Sequence, residues 1–433
     1  MPFDSKADVY IVNTCSVTNI ADHKSRQMLH RAKKLNPDAV VVAIGCYVET
    51  GRDVLEKDPE VDLVIGNDKK MDLPQILARL DHGDGSFDQS APWLIDHHLN
   101  YQIDQKNRPH DQVDQKNRPH DQVDQKNRPR DQVRTRTRAF IKIQDGCNRF
   151  CTYCVIPYAR GRVRSREMND VVSEVRALAD GGCREIVLTG IHISSFGTDR
   201  GEPEMIPLLR QLNEVSGLRR IRLGSLEPAY VTPEWVEGAR GIDKLCPHFH
   251  LSMQSGSETV LKRMNRHYTP EEYYEKVCML REAFGDPAFT TDVIVGFPGE
   301  TPEEFAETYD FVQKAGFFEL HVFKYSRRDG TPAAGMPGQV PEREKHARSE
   351  KLIALGRELS MDYRKRRLGT QTEILTEEIR EAGGVRYMCG HTPEYAFAGI
   401  HAESAEDEQS NVLIGGTLEG FADEDLMVLK LSR

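Results

Sequence analysis

Residues 141–166 read IKIQDGCNRFCTYCVIPYARGRVRSR, with Cys147, Cys151 and Cys154 in the order C-x3-C-x2-C. Three thiolates this close can hold three irons of a cubane cluster and leave the fourth iron open, because such clusters normally take four cysteines. An open iron is a site for a small molecule. Zinc competes for the same residues, but zinc sites usually pair C-x2-C with a second C-x2-C or H-x3-H. No second pair follows here. Chance adjacency of thiols is the plainer alternative. The aromatic Tyr153 just before the last cysteine favours the cluster.

Cations surround the motif. Between Arg134 and Arg166 stand Arg134, Arg136, Arg138, Lys142, Arg149, Arg160, Arg162, Arg164 and Arg166, against the one acid Asp145. A solvated loop with internal pairing would explain some of them. A phosphate backbone explains the number better. The attraction must be local, because the whole chain of 433 residues carries a formal charge of −10.

Length predicts two to four domains at about 150 residues each. A hydrophobic content of 38% and a charged content of 29% suit a globular protein with a sizeable core. No apolar run approaches the roughly 18 residues of a membrane span. The opening MPFDSKADVY has neither a basic n-region nor an apolar h-region. A reducing cytoplasm is the expected setting, and the nine cysteines are expected as ligands or core residues.

Before the motif, ADVYIVNTC, AVVVAIGC and VDLVIGND read as strands separated by helices around 21–34 and 49–56. This β-α-β-α-β order predicts an open parallel sheet, which binds ligands at the carboxyl ends of its strands. Cys15 and Cys46 both fall at such ends. They are candidate ligands, with core packing as the alternative. From Asp104 to Val133 three near-identical decads follow, DQKNRPHDQV twice and then DQKNRPRDQV. Each has one Val and one Pro, too little apolar surface to offset ordering entropy, so an extended linker is expected.

After the motif, strand and helix alternate. AFIKIQ, REIVLTG, RRIRLGS, PHFHLSM, AFTTDVIVG and FFELHVFKYS give six strands, which predicts a partial (β/α)6 barrel rather than the closed eight-stranded form. The strands end in polar or glycine groups, among them Gly190, Glu227, Gln254 and Asp292. Any one of these could be a loop cap, but together they favour a ligand. A basic helix over 343–367 leads to short strands from about Thr370, read as a small β-barrel. That segment is acidic, with six cations against thirteen acids over 366–433. RNA contact there requires its few cations to share a face with Tyr387, Tyr395 and Phe397.

The chain resembles the radical-SAM (S-adenosylmethionine) methylthiotransferases. NTCSVTN and IGCY lie in its first domain, QDGCNRFCTYCVIPYARG opens the barrel, and GHTPEY lies in the last domain. LTGIHISSFG, RIRLGSLEP, HLSMQSGS, LKRMNRHYT, TTDVIVGFPGET and FKYSRRDGTPAA also match. IPYARG and the FHLSMQSGS…MNRHYT block look most like the branch that modifies threonylcarbamoyladenosine in tRNA. The expected partition is an auxiliary-cluster domain over 1–70, a linker over 71–133, a radical-SAM barrel over 134–366 and a TRAM-like RNA-binding β-barrel over 367–433.

The resemblance implies a [4Fe–4S] cluster on Cys147, Cys151 and Cys154 whose open iron binds SAM, with Tyr153, Gly190, Glu227, Gln254 and Asp292 as candidates for the SAM pocket. It implies methylthiolation of carbon 2 of the adenosine at position 37, beside the anticodon of tRNA. Arg134, Arg136, Arg138, Arg160, Arg162 and Arg164 would meet RNA. A second [4Fe–4S] cluster, the sulfur donor, is implied at Cys15 and Cys46. Its third cysteine would lie on a strand upstream of this chain, so a shifted start is expected. An electron donor such as a flavodoxin or ferredoxin and a monomeric state complete the expectation. The alternatives are the isopentenyladenosine branch, a ribosomal-protein aspartate branch, and an inactive RNA-binding cluster protein.

Overall fold

The computed structural model describes residues 3, 5–16, 19–67, 69–80, 137–402 and 409–431. The decad repeats, Arg134 and Arg136 lie outside the described residues. The chain forms two units. One gathers residues 1–123, 147–162 and 326–335, and the other gathers 124–146, 163–325 and 336–433.

The first unit is built on a parallel sheet of β1 (Val9–Thr14), β2 (Val40–Gly45) and β3 (Leu63–Ile65), in that spatial order. Its middle strand is covered on both faces, which is why VVVAIG is apolar without alternation. Val41 and Ala43 pack with Leu29 and Ala32 of the helix Asn19–Leu35, while Val42 and Ile44 pack with Leu63, Ile65 and Ile76. β1 alternates instead, burying Tyr10 and Val12 and exposing Val9 and Ile11.

The second unit contains the six expected parallel strands. They are β4 (Arg138–Asp145), β6 (Glu185–Gly190), β7 (Arg220–Leu223), β8 (His248–His250), β9 (Ala288–Val295) and β10 (Glu319–Lys324). The ladders run β4-β6-β7 and β8-β9-β10, joined by parallel bridges Ile221–Leu245 and Leu226–Leu251. A short antiparallel β5 (Arg164–Ser165), which the sequence reading lacked, pairs Gln144 with Ser165 at the β4 edge.

Local chemistry sets the crossover helices. Thr-Pro-Glu-Glu opens two of them, Pro270–Phe284 and Pro302–Ala315, and in each the threonine and the third-position glutamate form a reciprocal capping box. Both helices stop at a left-handed glycine, Gly285 and Gly316. Their apolar faces meet one continuous core with outward strand residues such as Ile186, Ile221, Phe249 and Val293. The other strand face is polar and carries Arg138, Glu185, Arg220, Arg222, His248, His250 and Asp292.

The helix Glu342–Arg366 then leads to a closed barrel of β11 (Gln371–Ala382), β12 (Val385–His391), β13 (Phe397–His401), β14 (Leu413–Phe421) and β15 (Met427–Leu431). β11 runs through a bulge between Thr376 and Glu378 to a tight Gly383-Gly384 hairpin. Both glycines take positive φ, 58° and 78°, as a two-residue hairpin turn requires.

Charge joins this barrel to the strand starts of the α/β barrel. Glu185, 1% exposed, is ringed by Arg222, Arg220 and Arg138. The same arginines reach across. Arg220 donates to the carbonyls of His391 (2.8 Å) and Glu373 (2.9 Å), and Arg222 to that of Pro393 (2.9 Å). Arg138 bonds Glu377 and Tyr395. Burial alone would push the Glu185 carboxyl up. Arg222, Arg138 and Arg220 outweigh it and hold the group below its ordinary range.

Candidate cluster centre and sulfur site

The cysteine loop belongs to the first unit. Its ends are tied by Cys147 N–H donating to the Gly161 carbonyl at 3.1 Å. Inside it, Phe150 takes φ 51°, and Cys154 N–H closes a turn on the Cys151 carbonyl at 3.0 Å. Arg149 N–H points at Cys147 Sγ, 3.4 Å away. Thr152 is pinned from outside, its carbonyl accepting Ala333 N–H at 2.9 Å. Phe150 meets the edge of Tyr158 and lies under the Arg162 guanidinium. Cys151 is buried, and Cys147, Cys154 and Tyr153 are half-buried.

These residues fit an iron–sulfur cluster with one open iron. All three donors are thiols on one backbone-fixed loop, and a main-chain N–H already faces a sulfur, as cluster ligands require for their negative charge. Among the described residues no three His, Cys, Asp or Glu side chains stand together as ligands of a single metal ion. A cubane instead takes each thiolate on a separate iron.

Cys15 and Cys46 lie in the same unit, immediately past the last paired residues of β1 and β2, Thr14 and Gly45. Gly45 has φ 101°, and the short helix Cys46–Thr50 starts directly after it. Cys15 is exposed and its N–H donates to Ser25 Oγ at 3.3 Å. Cys46 is 5% exposed and its Sγ accepts Arg160 Nε–H at 3.1 Å. The two loops are laced together. Ser16 Oγ lies 2.5 Å from Thr50 Oγ1, Thr50 bonds the Cys46 carbonyl, and Arg328 bonds both Ser16 and Asp22.

The strand-end residues of the second unit form two groups. Glu227, 5% exposed, accepts Arg266 Nη2 at 2.8 Å and has His192 Nε2 at 3.8 Å. Gln254, with φ 68°, bonds the Asp292 carbonyl through its N–H at 2.8 Å, and the Asp292 carboxylate lies 3.4 Å from His250. Gly190 passes so close to Gln144 that a Cβ there would lie 2.9 Å from the Gln144 carbonyl oxygen. His192, Arg266 and His250 were absent from the expected site. Arg266 and His192 sit within the MNRHYT and GIHISS stretches, whose pattern was visible but whose partners were not.

The arginines divide. Arg162 and Arg164 are exposed. Arg138 is turned into the Glu185–Glu377 network with 12% of its side chain exposed, and Arg160 is directed at Cys46. Both of these side chains have partners within the chain, as does Arg164, which lies 3.8 Å from Asp145.

The Radical SAM superfamily matches residues 141–312, and "Uncharacterized protein family UPF0004" matches 1–66. The chain is 41% identical over 395 residues to the threonylcarbamoyladenosine tRNA methylthiotransferase MtaB of Bacillus subtilis, covering 91% of this chain and 82% of that one. It is 38% identical to the protein of that name from Aquifex aeolicus, over 87% of this chain and 85% of that one. The tRNA-2-methylthio-N(6)-dimethylallyladenosine synthase of Carboxydothermus hydrogenoformans is 35% identical, over 89% and 84%. Among solved structures, the radical SAM methyltransferase TsrM of Kitasatospora setae shares the fold, with TM-score 0.52 at 19% identity over 77% of this chain and 67% of that one. The cysteine loop, the six parallel strands and these relatives agree: the chain belongs to the radical SAM methylthiotransferases.

Proposed function

We propose that this protein transfers a methylthio group to carbon 2 of N6-threonylcarbamoyladenosine beside the anticodon of tRNA. The observation that supports this reading is that two groups of cysteines share one compact unit. The loop of Cys147, Cys151 and Cys154 and the strand ends bearing Cys15 and Cys46 share that unit, and Arg160 links them. The choice of base is supported by the identity to the two MtaB proteins, 41% and 38%, against 35% for the dimethylallyladenosine enzyme.

A [4Fe–4S] cluster on the three-cysteine loop, with SAM, supplies one-electron chemistry able to break an unactivated aromatic C–H bond. The chain's own residues do the positioning. Arg149 N–H stabilises thiolate charge on Cys147. The proposed SAM contacts are Tyr153 in the loop and Gly190, Glu227, Gln254 and Asp292 at the barrel strand ends. Arg266 holds the Glu227 carboxylate in place, where it can accept from ligand hydroxyls. Cys15 and Cys46 are proposed as two of the three cysteines of the sulfur-donating cluster. Arg162 and Arg164 are the proposed phosphate contacts, and the C-terminal barrel is a proposed RNA-binding module. The target base must leave its stack to react, which a single-stranded loop makes cheap. A flavodoxin or ferredoxin as electron donor, a monomeric state and a cytoplasmic setting complete the proposal. No described helix is long and apolar enough to cross a membrane.

The test is the nucleoside content of tRNA from a strain deleted for this gene. Loss of 2-methylthio-N6-threonylcarbamoyladenosine, restored by the gene, is expected. An unchanged level overturns the reading. Loss of the methylthio-isopentenyl nucleoside instead assigns the enzyme to the other tRNA branch.

A further inference from the structure

The α/β barrel is open between its edge strands β4 and β10. Among the described residues β4 pairs with β6 and, at its far end, with the short β5, while β10 pairs with β9 alone. Alternate residues of a strand share a face, so those that join the core fix which ones point inward. On β10, Leu320 and Val322 pack against the core, leaving Glu319, His321 and Phe323 on the inner face. On β4, Ile141 and Ile143 lie in the core, leaving Phe140 and Lys142 on the inner face. Each edge strand thus turns an exposed phenyl ring inward, Phe140 at 62% and Phe323 at 47%. The register stacks two layers behind Phe323. Phe323 pairs with the half-buried Ile294, and one step deeper His321 pairs with Asp292. His321 stacks on His250, with ring centroids 5.7 Å apart. His250 Nδ1 is fixed 3.0 Å from Thr290 Oγ1, and its Nε2 lies 3.4 Å from the Asp292 carboxylate without a hydrogen bond. An apolar ring surface backed by imidazoles and a carboxylate matches a flat base that carries a polar substituent.

We propose that the open side of this barrel seats the extruded adenosine, with Phe323 stacking on its base, Phe140 stacking on a neighbouring base, and His321 reading the polar group on N6. The inference rests on the reading of the substrate as threonylcarbamoyladenosine in a single-stranded loop. A base leaving its stack loses contacts that an aromatic side chain restores, whichever base it is. The rings therefore supply affinity, and the layer behind them supplies choice. A threonylcarbamoyl group carries urea N–H groups, a hydroxyl and a carboxylate, which pair with the imidazoles of His321 and His250 and the carboxylate of Asp292. An isopentenyl group offers none of these. It would leave the polar layer unpaired, and a site built to hydrogen-bond its ligand rejects the analogue that cannot. His321 is the exposed member of that layer, and so the one a substituent meets first.

The experiment measures the affinity of the full chain for two anticodon stem–loop RNAs by fluorescence anisotropy. One carries N6-threonylcarbamoyladenosine beside the anticodon, the other N6-isopentenyladenosine. Phe323→Ala and Phe140→Ala are each expected to weaken binding of the first RNA about 5- to 150-fold, the loss of one base–ring stack. Phe323→Tyr keeps the ring and should bind as wild type does. His321→Leu should narrow the preference for the first RNA over the second about tenfold, the loss of a hydrogen bond to a polar or charged group. All three side chains are exposed, so each variant should keep the wild-type thermal midpoint, and the affinities then report the site rather than the fold. Unchanged affinity in either alanine variant, or an unchanged preference in His321→Leu, overturns the inference alone. A wild-type protein with no preference between the two RNAs overturns the threonylcarbamoyl reading and the inference together.

Discussion

Thr14 and Gly45 stand opposite each other as the last paired residues of neighbouring parallel strands, and a Cβ on Gly45 would lie 2.4 Å from the Thr14 carbonyl oxygen. The glycine is required twice over, by that approach and by its φ of 101°. Gly45→Ala should destabilise the first unit by about 1–3 kcal/mol through strain. It should also disturb the spacing of Cys15 and Cys46. Denaturation of the variant checks the first point, and its iron content after reconstitution checks the second. A variant as stable and as iron-rich as wild type would show that the strand ends are not constrained.

Cys151 is the buried member of the three-cysteine loop. Cys151→Ala leaves two thiols for a cluster that needs three, so 5′-deoxyadenosine formation from SAM should fall to background. Iron should drop by about four per chain, since each cubane holds four. Cleavage of SAM at the wild-type rate would refute the assignment of the loop.

Glu185 pairs with the buried Arg220 and Arg222 and the half-buried Arg138 at the junction with the C-terminal barrel. Removing one partner from such a group leaves buried charge uncompensated, so Glu185→Gln should cost about 3–5 kcal/mol at neutral pH. The pH dependence has a definite sign. The folded-state pKa is depressed, so the carboxylate stabilises fully above the unfolded glutamate value of about 4.3. That contribution is lost as pH falls through the depressed value. The acid limb of a stability–pH curve should therefore be shallower in Glu185→Gln than in wild type. Identical limbs would mean the ring of arginines does not act on Glu185.

Arg162 and Arg164 are exposed beside the cysteine loop. If each meets one phosphate of a single-stranded loop, Arg162→Ala and Arg164→Ala should each reduce the slope of log affinity against log salt by about 0.7. Affinity should weaken without a change of target nucleoside. Filter binding of tRNA across a salt series reads the slope, and an unchanged slope removes these residues from the RNA face.

Much of this was legible in the sequence because it is locally encoded. The C-x3-C-x2-C spacing, the six β-rich runs and the Thr-Pro-Glu-Glu helix starts all express their chemistry within a few residues. Long-range pairing is not expressed that way. Arg138 and Arg160 sat in a basic run and were read by that neighbourhood, whereas their partners, Glu377 and Cys46, lie far along the chain. Arg328 was visible only as part of a family-like stretch, and its grip on Ser16 needed the fold. β5 was missed because two residues carry no periodicity.

The arginine floor under the C-terminal barrel has a consequence for how such proteins diversify. Arg220 and Arg222 are strand residues of the α/β barrel, yet they need the carbonyls of Glu373, His391, Thr392 and Pro393 to be satisfied. A shuffled or transplanted C-terminal module would meet those guanidiniums without matching acceptors. Exchanging the module whole is therefore expected to cost stability at this joint, whereas substitutions on its outer faces leave the joint intact.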